Sequence, residues 1–144
     1  MQRYERTRIL VEGDPSLAQG IAAEIEAECA VEVVDEPHEE LVMVKVRESV
    51  RNSLFYLGEA LMCSCRVKLG DTMGYGMALG SRRNLAYNLA LIDAAFASGA
   101  AQEKVPGWEH LIRKEAQRIA RRQAKEAARV DKTRVDFSTM KVEA

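Results

Sequence analysis

The sequence predicts an α+β fold: N-terminal helices, an antiparallel sheet of about four strands, then C-terminal helices with an extended tail. Three observations carry this expectation. Leu17, Ile21 and Ile25 recur every four residues. Between Phe55 and Leu69 the apolar residues alternate strictly. After Gly80 the spacing becomes helical again, with Leu85, Leu89, Ile92 and Phe96 in one stripe.

The elements follow in order. Met1 to Val11 reads as a first helix ending at Gly13. Asp14 then offers an N-cap oxygen and Pro15 fits the first turn of a second helix. After Cys29 the period changes to two. Val31 and Val33 form one short strand, and Val42, Val44 and Val46 share a face of the next, with a turn expected at Pro37. Arg47 to Ser53 is polar and reads as a loop. The clearest strand is Phe55 to Leu69, with Phe55, Leu57, Leu61, Cys63, Cys65, Val67 and Leu69 on one face. Gly58 within it signals a bulge or bend.

Gly70-Asp71 turns the chain into a strand from Thr72 to Leu79. Its Gly74, Gly76 and Ala78 leave a flat strip against which a helix of this chain or another subunit can pack closely. A helix runs on to Ser98 and stops at Gly99. Trp108 to Val130 is the longest helical stretch, with a thin, alanine-rich apolar stripe. The expected division is a core, residues 1–105, and a second unit, residues 106–144, made of the long basic helix and a partner-docking tail.

Composition bounds the function. Of 144 residues, 47% are apolar and 30% charged, and 21 basic residues face 22 acidic ones for a net charge of −1. That profile suits a globular chain and gives no support to a globally basic nucleic-acid binder. Near-neutrality hides a local asymmetry. Glu24 to Glu40 holds eight acidic residues without Lys or Arg, whereas Arg113 to Arg129 holds seven basic residues and two acidic ones. No apolar stretch reads as a secretory signal or a membrane span, and the three cysteines read as reduced thiols, so a cytoplasmic location is expected.

Candidate chemistry is sparse. Gly74, Gly76 and Gly80 resemble a dinucleotide loop, but the sixth position is Leu79 and the first two glycines lie within a strand. His38 and His110 lack a paired nucleophile. Glu59 and Asp93 sit among apolar residues, so each needs a partner or access to water. The basic helix lacks the interleaved aromatics of many nucleic-acid binders. No catalytic, cofactor-binding or metal-ligating residue is assigned, and no cofactor is expected.

A resemblance says more. Phe55-Tyr56-Leu57-Gly58-Glu59-Ala60, Arg66-Val67-Lys68-Leu69, Met73-Gly74-Tyr75, Leu79-Gly80, Ala90-Leu91-Ile92-Asp93-Ala94 and Arg134-Val135-Asp136-Phe137 with Thr139-Met140 follow one another in order. Together they resemble PhnG, the small-subunit family of the bacterial carbon–phosphorus lyase system. Gly76 and Ser138 depart from the family pattern, which leads one to expect a larger polar residue and a second aromatic there.

The resemblance implies a hetero-oligomer with PhnH, PhnI and PhnJ subunits. It implies a part in forming α-D-ribose 1-methylphosphonate 5-triphosphate from ATP and methylphosphonate with release of adenine. It carries no catalytic residue onto this chain. Arg134, Val135, Asp136, Phe137, Thr139, Met140, Gly74 and Tyr75 are the expected partner-binding residues. A stand-alone nucleotide- or phosphonate-processing enzyme and a nucleic-acid-binding module are the rival expectations; membrane and nucleic-acid partners are not expected.

Overall fold

A computed structural model describes residues 1–137. Its elements are α1 (Arg3–Glu12), α2 (Pro15–Glu28), β1 (Val31–Arg47), β2 (Leu54–Leu69), β3 (Thr72–Leu79), α3 (Arg83–Ser98) and α4 (Val105–Lys132). The α+β class and the order of helices, sheet and helices agree with the sequence pattern. The sheet among the described residues has three antiparallel strands in the order β1-β2-β3, not about four. Pro37 is the reason for the difference. It makes no turn, because β1 is an edge strand and a proline there needs no ladder partner for a missing N–H. The chain absorbs it through register shifts between Val33 and Asp35 and between Asp35 and His38.

The centre of the molecule is α3. Nine of its residues are buried: Leu85, Ala86, Leu89, Ala90, Leu91, Ile92, Asp93, Ala94 and Ala95. A helix apolar on nearly every side must be covered on every side. The sheet covers one side, and α2 and α1 pack on others. Cys63, Cys65, Val67 and Leu69 of β2 point into the same core. Asp14 caps α2 as its position suggests: its carboxylate accepts from the Ser16 N–H at 2.9 Å, with Pro15 at the start of the helix.

At Gly74 and Gly76, β3 meets α3 with no side chain between them. A Cβ built on Gly76 would lie 1.8 Å from the Ala86 carbonyl oxygen, and one on Gly74 would lie 2.1 Å from that of Ala90. The flat strip of β3 is therefore filled by this chain's own helix, on the Ala86-Ala90-Ala94 spacing. That contact also closes the glycine pair to any phosphate, so a dinucleotide cannot use it.

The fourth helix is divided by its surroundings. Trp108, Ile112 and Ile119 are buried against the core, each contributing about 1.5–3 kcal/mol. The Trp108 indole N–H also donates to Glu24 at 2.8 Å, and its ring lies 6.1 Å from that of Phe96. From Ala120 to Lys132 every residue is exposed.

Candidate partner-docking surface

Three surfaces lie outside this packed centre. The first is the free half of α4, roughly 20 Å long at the usual helical rise. It presents Arg121, Arg122, Lys125, Arg129 and Lys132 against Glu126 and Asp131. One of these, Arg122, reaches back to the Glu12 carbonyl at 3.2 Å. The apolar seam that buries Ile112 and Ile119 ends, beyond the core, at Val130, which is 69% exposed.

The second surface is the start of the tail. Arg134, Val135, Asp136 and Phe137 follow α4 with every side chain exposed. Arg134 sits 4.0 Å from Asp131 and donates its N–H to the Asp131 carbonyl. Asp136 has interactions of its own. Thr139 and Met140 fall outside the described residues.

The third surface is the face of the sheet turned away from α3. Tyr75, Met77 and Leu79 alternate with the buried glycines of β3 and stay exposed there. Tyr75 and Gly74 thus lie on opposite faces. Tyr75 is available to a partner. Gly74 is buried under α3 and acts by holding β3 in place.

One feature escaped the sequence pattern. Alternation in the sequence puts Phe55, Leu57 and Leu61 on the face of Cys63, Val67 and Leu69, yet all three are exposed, and the register shift between Val44 and Lys45 moves Phe55 to the opposite face. β3 pairs with β2 only between Met62 and Leu69. Beyond Met62, β1 and β2 continue as a two-stranded arm without a third strand. The signal was present in strand lengths: 16 residues in β2 against eight in β3. Glu59 lies on this arm and reaches water. The arm's tip is built, with the Glu48 carboxylate accepting the N–H groups of Val50 at 2.8 Å and Arg51 at 2.6 Å.

The base of the arm is tied to α3. Glu39 accepts from Arg83 Nε at 2.8 Å and from the Ser81 hydroxyl at 3.0 Å. Those bonds, Arg83 foremost, hold the Glu39 carboxyl down at about 2. A carboxyl depressed on folding stabilises above its unfolded value, and that contribution is lost as pH falls toward the folded one. The tie is therefore expected to weaken between about pH 4.5 and pH 2. A carbon-detected NMR titration of Glu39 checks this, and a midpoint at the ordinary glutamate value contradicts it.

Asp93 is the other carboxylate of note, and it is buried. It accepts from Arg3 at 2.6 Å, from Arg6 at 3.2 Å and from the Tyr75 backbone N–H at 3.1 Å. Arg6 is itself buried, its guanidinium 4.2 Å from the Phe96 ring centre. Burial pulls the Arg6 pKa down, and Asp93 opposes that shift. The cluster fastens α1 to β3 and α3.

Little here resembles a reaction centre. His38 is exposed, its Nδ1 2.8 Å from the Glu36 carbonyl, and His110 is exposed on α4. Cys65 is buried and its thiol is pushed up to about 11 by desolvation, the reverse of what a nucleophile needs. Among the described residues no group of three or more His, Cys, Asp and Glu could hold a metal ion. A hollow of about 570 Å³ between the start of α2 and α4 is lined by Ser16, Leu17, Leu111, Lys114 and Arg121, among others. Among the described residues no helix is long and apolar enough to cross a membrane.

Comparison with known proteins agrees with the motifs. No curated protein matches the chain. The model of one family, described as phosphonate metabolism protein PhnG, matches residues 1–142. That match spans both the packed centre and the exposed C-terminal elements, and the chain belongs to the PhnG family of phosphonate metabolism proteins.

Proposed function

We propose that this chain is an accessory, non-catalytic subunit of the bacterial carbon–phosphorus lyase core complex. It is required there for forming α-D-ribose 1-methylphosphonate 5-triphosphate from ATP and methylphosphonate, with release of adenine. Beyond the family match, one observation carries the reading: exposed apolar and basic elements surround a core poor in reactive groups. Such a chain contributes surface rather than chemistry.

In this reading residues 1–105 form the core and residues 106–144 the docking unit, fastened to the core by Trp108, Ile112 and Ile119. The free half of α4 lies along a larger subunit, PhnI in family terms, which covers its thin seam. Arg134, Val135, Asp136, Phe137, Thr139 and Met140 extend that contact, and Tyr75 adds to it from β3. PhnH and PhnJ complete the assembly, which works in the cytoplasm.

The test is co-expression with the three partner subunits, followed by size-exclusion chromatography and an adenine-release assay. The four-subunit complex is expected to release adenine from ATP in the presence of methylphosphonate, and omission of this chain to abolish release. Replacing Phe137 and Met140 together by aspartate is expected to abolish co-purification with PhnI. Undiminished complex formation by that variant removes the tail from the interface. Adenine release by this chain alone makes it an enzyme instead.

A further inference from the structure

Another hollow, of about 260 Å³, lies between α1, β3 and the C-terminal part of α3. Arg3, Arg6 and Asp93 supply its charges, and Met73, Phe96 and Ala97 its apolar wall. Two guanidinium groups share one carboxylate there, which leaves a surplus of positive charge. Each arginine uses a single bond on Asp93, at 2.6 Å for Arg3 and 3.2 Å for Arg6. Among the described residues their other guanidinium N–H groups make no hydrogen bond.

For Arg3 water serves instead, since its side chain is 61% exposed. The Arg6 side chain is only 7% exposed. Among the described residues no fully buried side-chain nitrogen lacks a partner, so the unused N–H groups of Arg6 open onto the hollow it lines. A charge this far from bulk water is costly until it is paired and its donors are met. Phe96, 4.2 Å from the Arg6 guanidinium, offers a π face but no lone pair. Burial opposes the charge on Arg6, and Arg3 repels it. Glu109 also acts on Arg6 from a distance, but it is itself held 3.1 Å from Arg113.

We propose that this hollow binds a small tetrahedral oxyanion of the phosphate class between Arg3 and Arg6. The Arg3 guanidinium lies 5.9 Å from the Tyr75 ring centre and that of Arg6 over Phe96, so donors meet the space from two sides. Guanidinium forks match phosphate oxygens. A tetrahedral anion presents oxygens in both directions, whereas the place of a planar carboxylate is already filled by Asp93. The anion offsets the surplus charge and gives Arg6 a second partner. The site does not depend on the role given above: it can fail while adenine release stands, or hold if that role is wrong.

Isothermal titration calorimetry of the full chain with inorganic phosphate, at fixed ionic strength, tests it. Phosphate is expected to bind where chloride does not. Arg3→Gln leaves Arg6 neutralised by Asp93 and is expected to weaken binding about tenfold or more. The exposure of Arg3 keeps the phosphate-free melting temperature of that variant near the parent's. Asp93→Asn with Arg6→Met removes the buried charge together with its partner and is expected to bind no phosphate. Arg121→Gln, in the hollow beside α2, is expected to bind as the parent does. In NMR spectra phosphate is expected to shift the backbone amides of Arg6, Tyr75 and Ala97. The proposal is overturned if phosphate gives no heat beyond that of chloride, if Arg3→Gln binds it as tightly as the parent, or if the shifts gather around Arg121 instead. Should the double variant fail to fold, Arg3→Gln and the amide shifts decide the matter.

Discussion

Gly76→Ala is expected to destabilise the protein by about 3 kcal/mol, at the upper end of the usual cost of overpacking. One methyl group does this because the space is taken by backbone. The new Cβ would stand 1.8 Å from the Ala86 carbonyl oxygen and 2.6 Å from the Ala90 nitrogen. A helix carbonyl cannot swing aside as a long side chain can, so α3 must lift from β3 and loosen its contacts with Cys63, Cys65 and Val67 of the neighbouring strand. For a chain of this length the loss lowers the melting temperature by roughly 10 °C. Gly20→Ala is the control. A Cβ there meets nothing within 4 Å, and the residue lies inside α2, so about 0.5–1 kcal/mol of added stability is expected. Differential scanning calorimetry reads both. A Gly76→Ala protein melting with its parent means that α3 stands farther from the sheet than described.

Asp93→Ala is the second large effect, at about 3–5 kcal/mol, the range for breaking a buried ion pair from one side. The carboxylate serves three donors from two other elements. Its removal strands the buried Arg6 guanidinium and the Tyr75 N–H. Arg3 contributes little to the loss, because its side chain is largely exposed and can rehydrate. Asp93→Asn with Arg6→Met is expected to recover most of the stability. The amide still accepts from Tyr75, while the charge that needed a partner is gone. Urea denaturation of the parent, the single variant and the double variant checks this. A double variant as unstable as Asp93→Ala makes the damage one of shape rather than stranded charge.

The helices and their ends were legible because each depends on neighbours in sequence. Asp14-Pro15 opens α2, and Gly99 closes α3 with a positive φ of 69°. β2 and β3 were legible for the same reason, through period-two alternation and the Gly70-Asp71 turn. Pro37 was misleading because its meaning depends on strand position: only the fold makes β1 an edge. Leu57 and Leu61 were misleading in a related way. Alternation gives the face of a strand but not how far along it the cover extends, and here the cover stops near Met62.

The docking surface was legible in part. The thin seam of the last helix announced that much of it would lie bare, and it does from Ala120 onward. Tyr75 and Gly74, adjacent in one motif, parted to opposite faces. The larger polar residue that the family pattern leads one to expect at Gly76 has no room while α3 sits where it does. Asp93 stood out as a carboxylate in an alanine-rich run. Its partners Arg3 and Arg6 did not, because 87 residues separate Arg6 from it.

The closeness of α3 to the sheet gives the molecule an internal clock. Cys63 and Cys65 lie beneath that helix at 0% and 1% exposure, whereas Cys29 is only partly covered. An alkylating reagent reaches the inner pair only when the helix departs from the strands. Labelling rates at Cys63 and Cys65 therefore time the opening of the packed centre, apart from the fraying of the arm or the free end of α4. Measured in the isolated chain and again in its complex, they report how far assembly slows that opening.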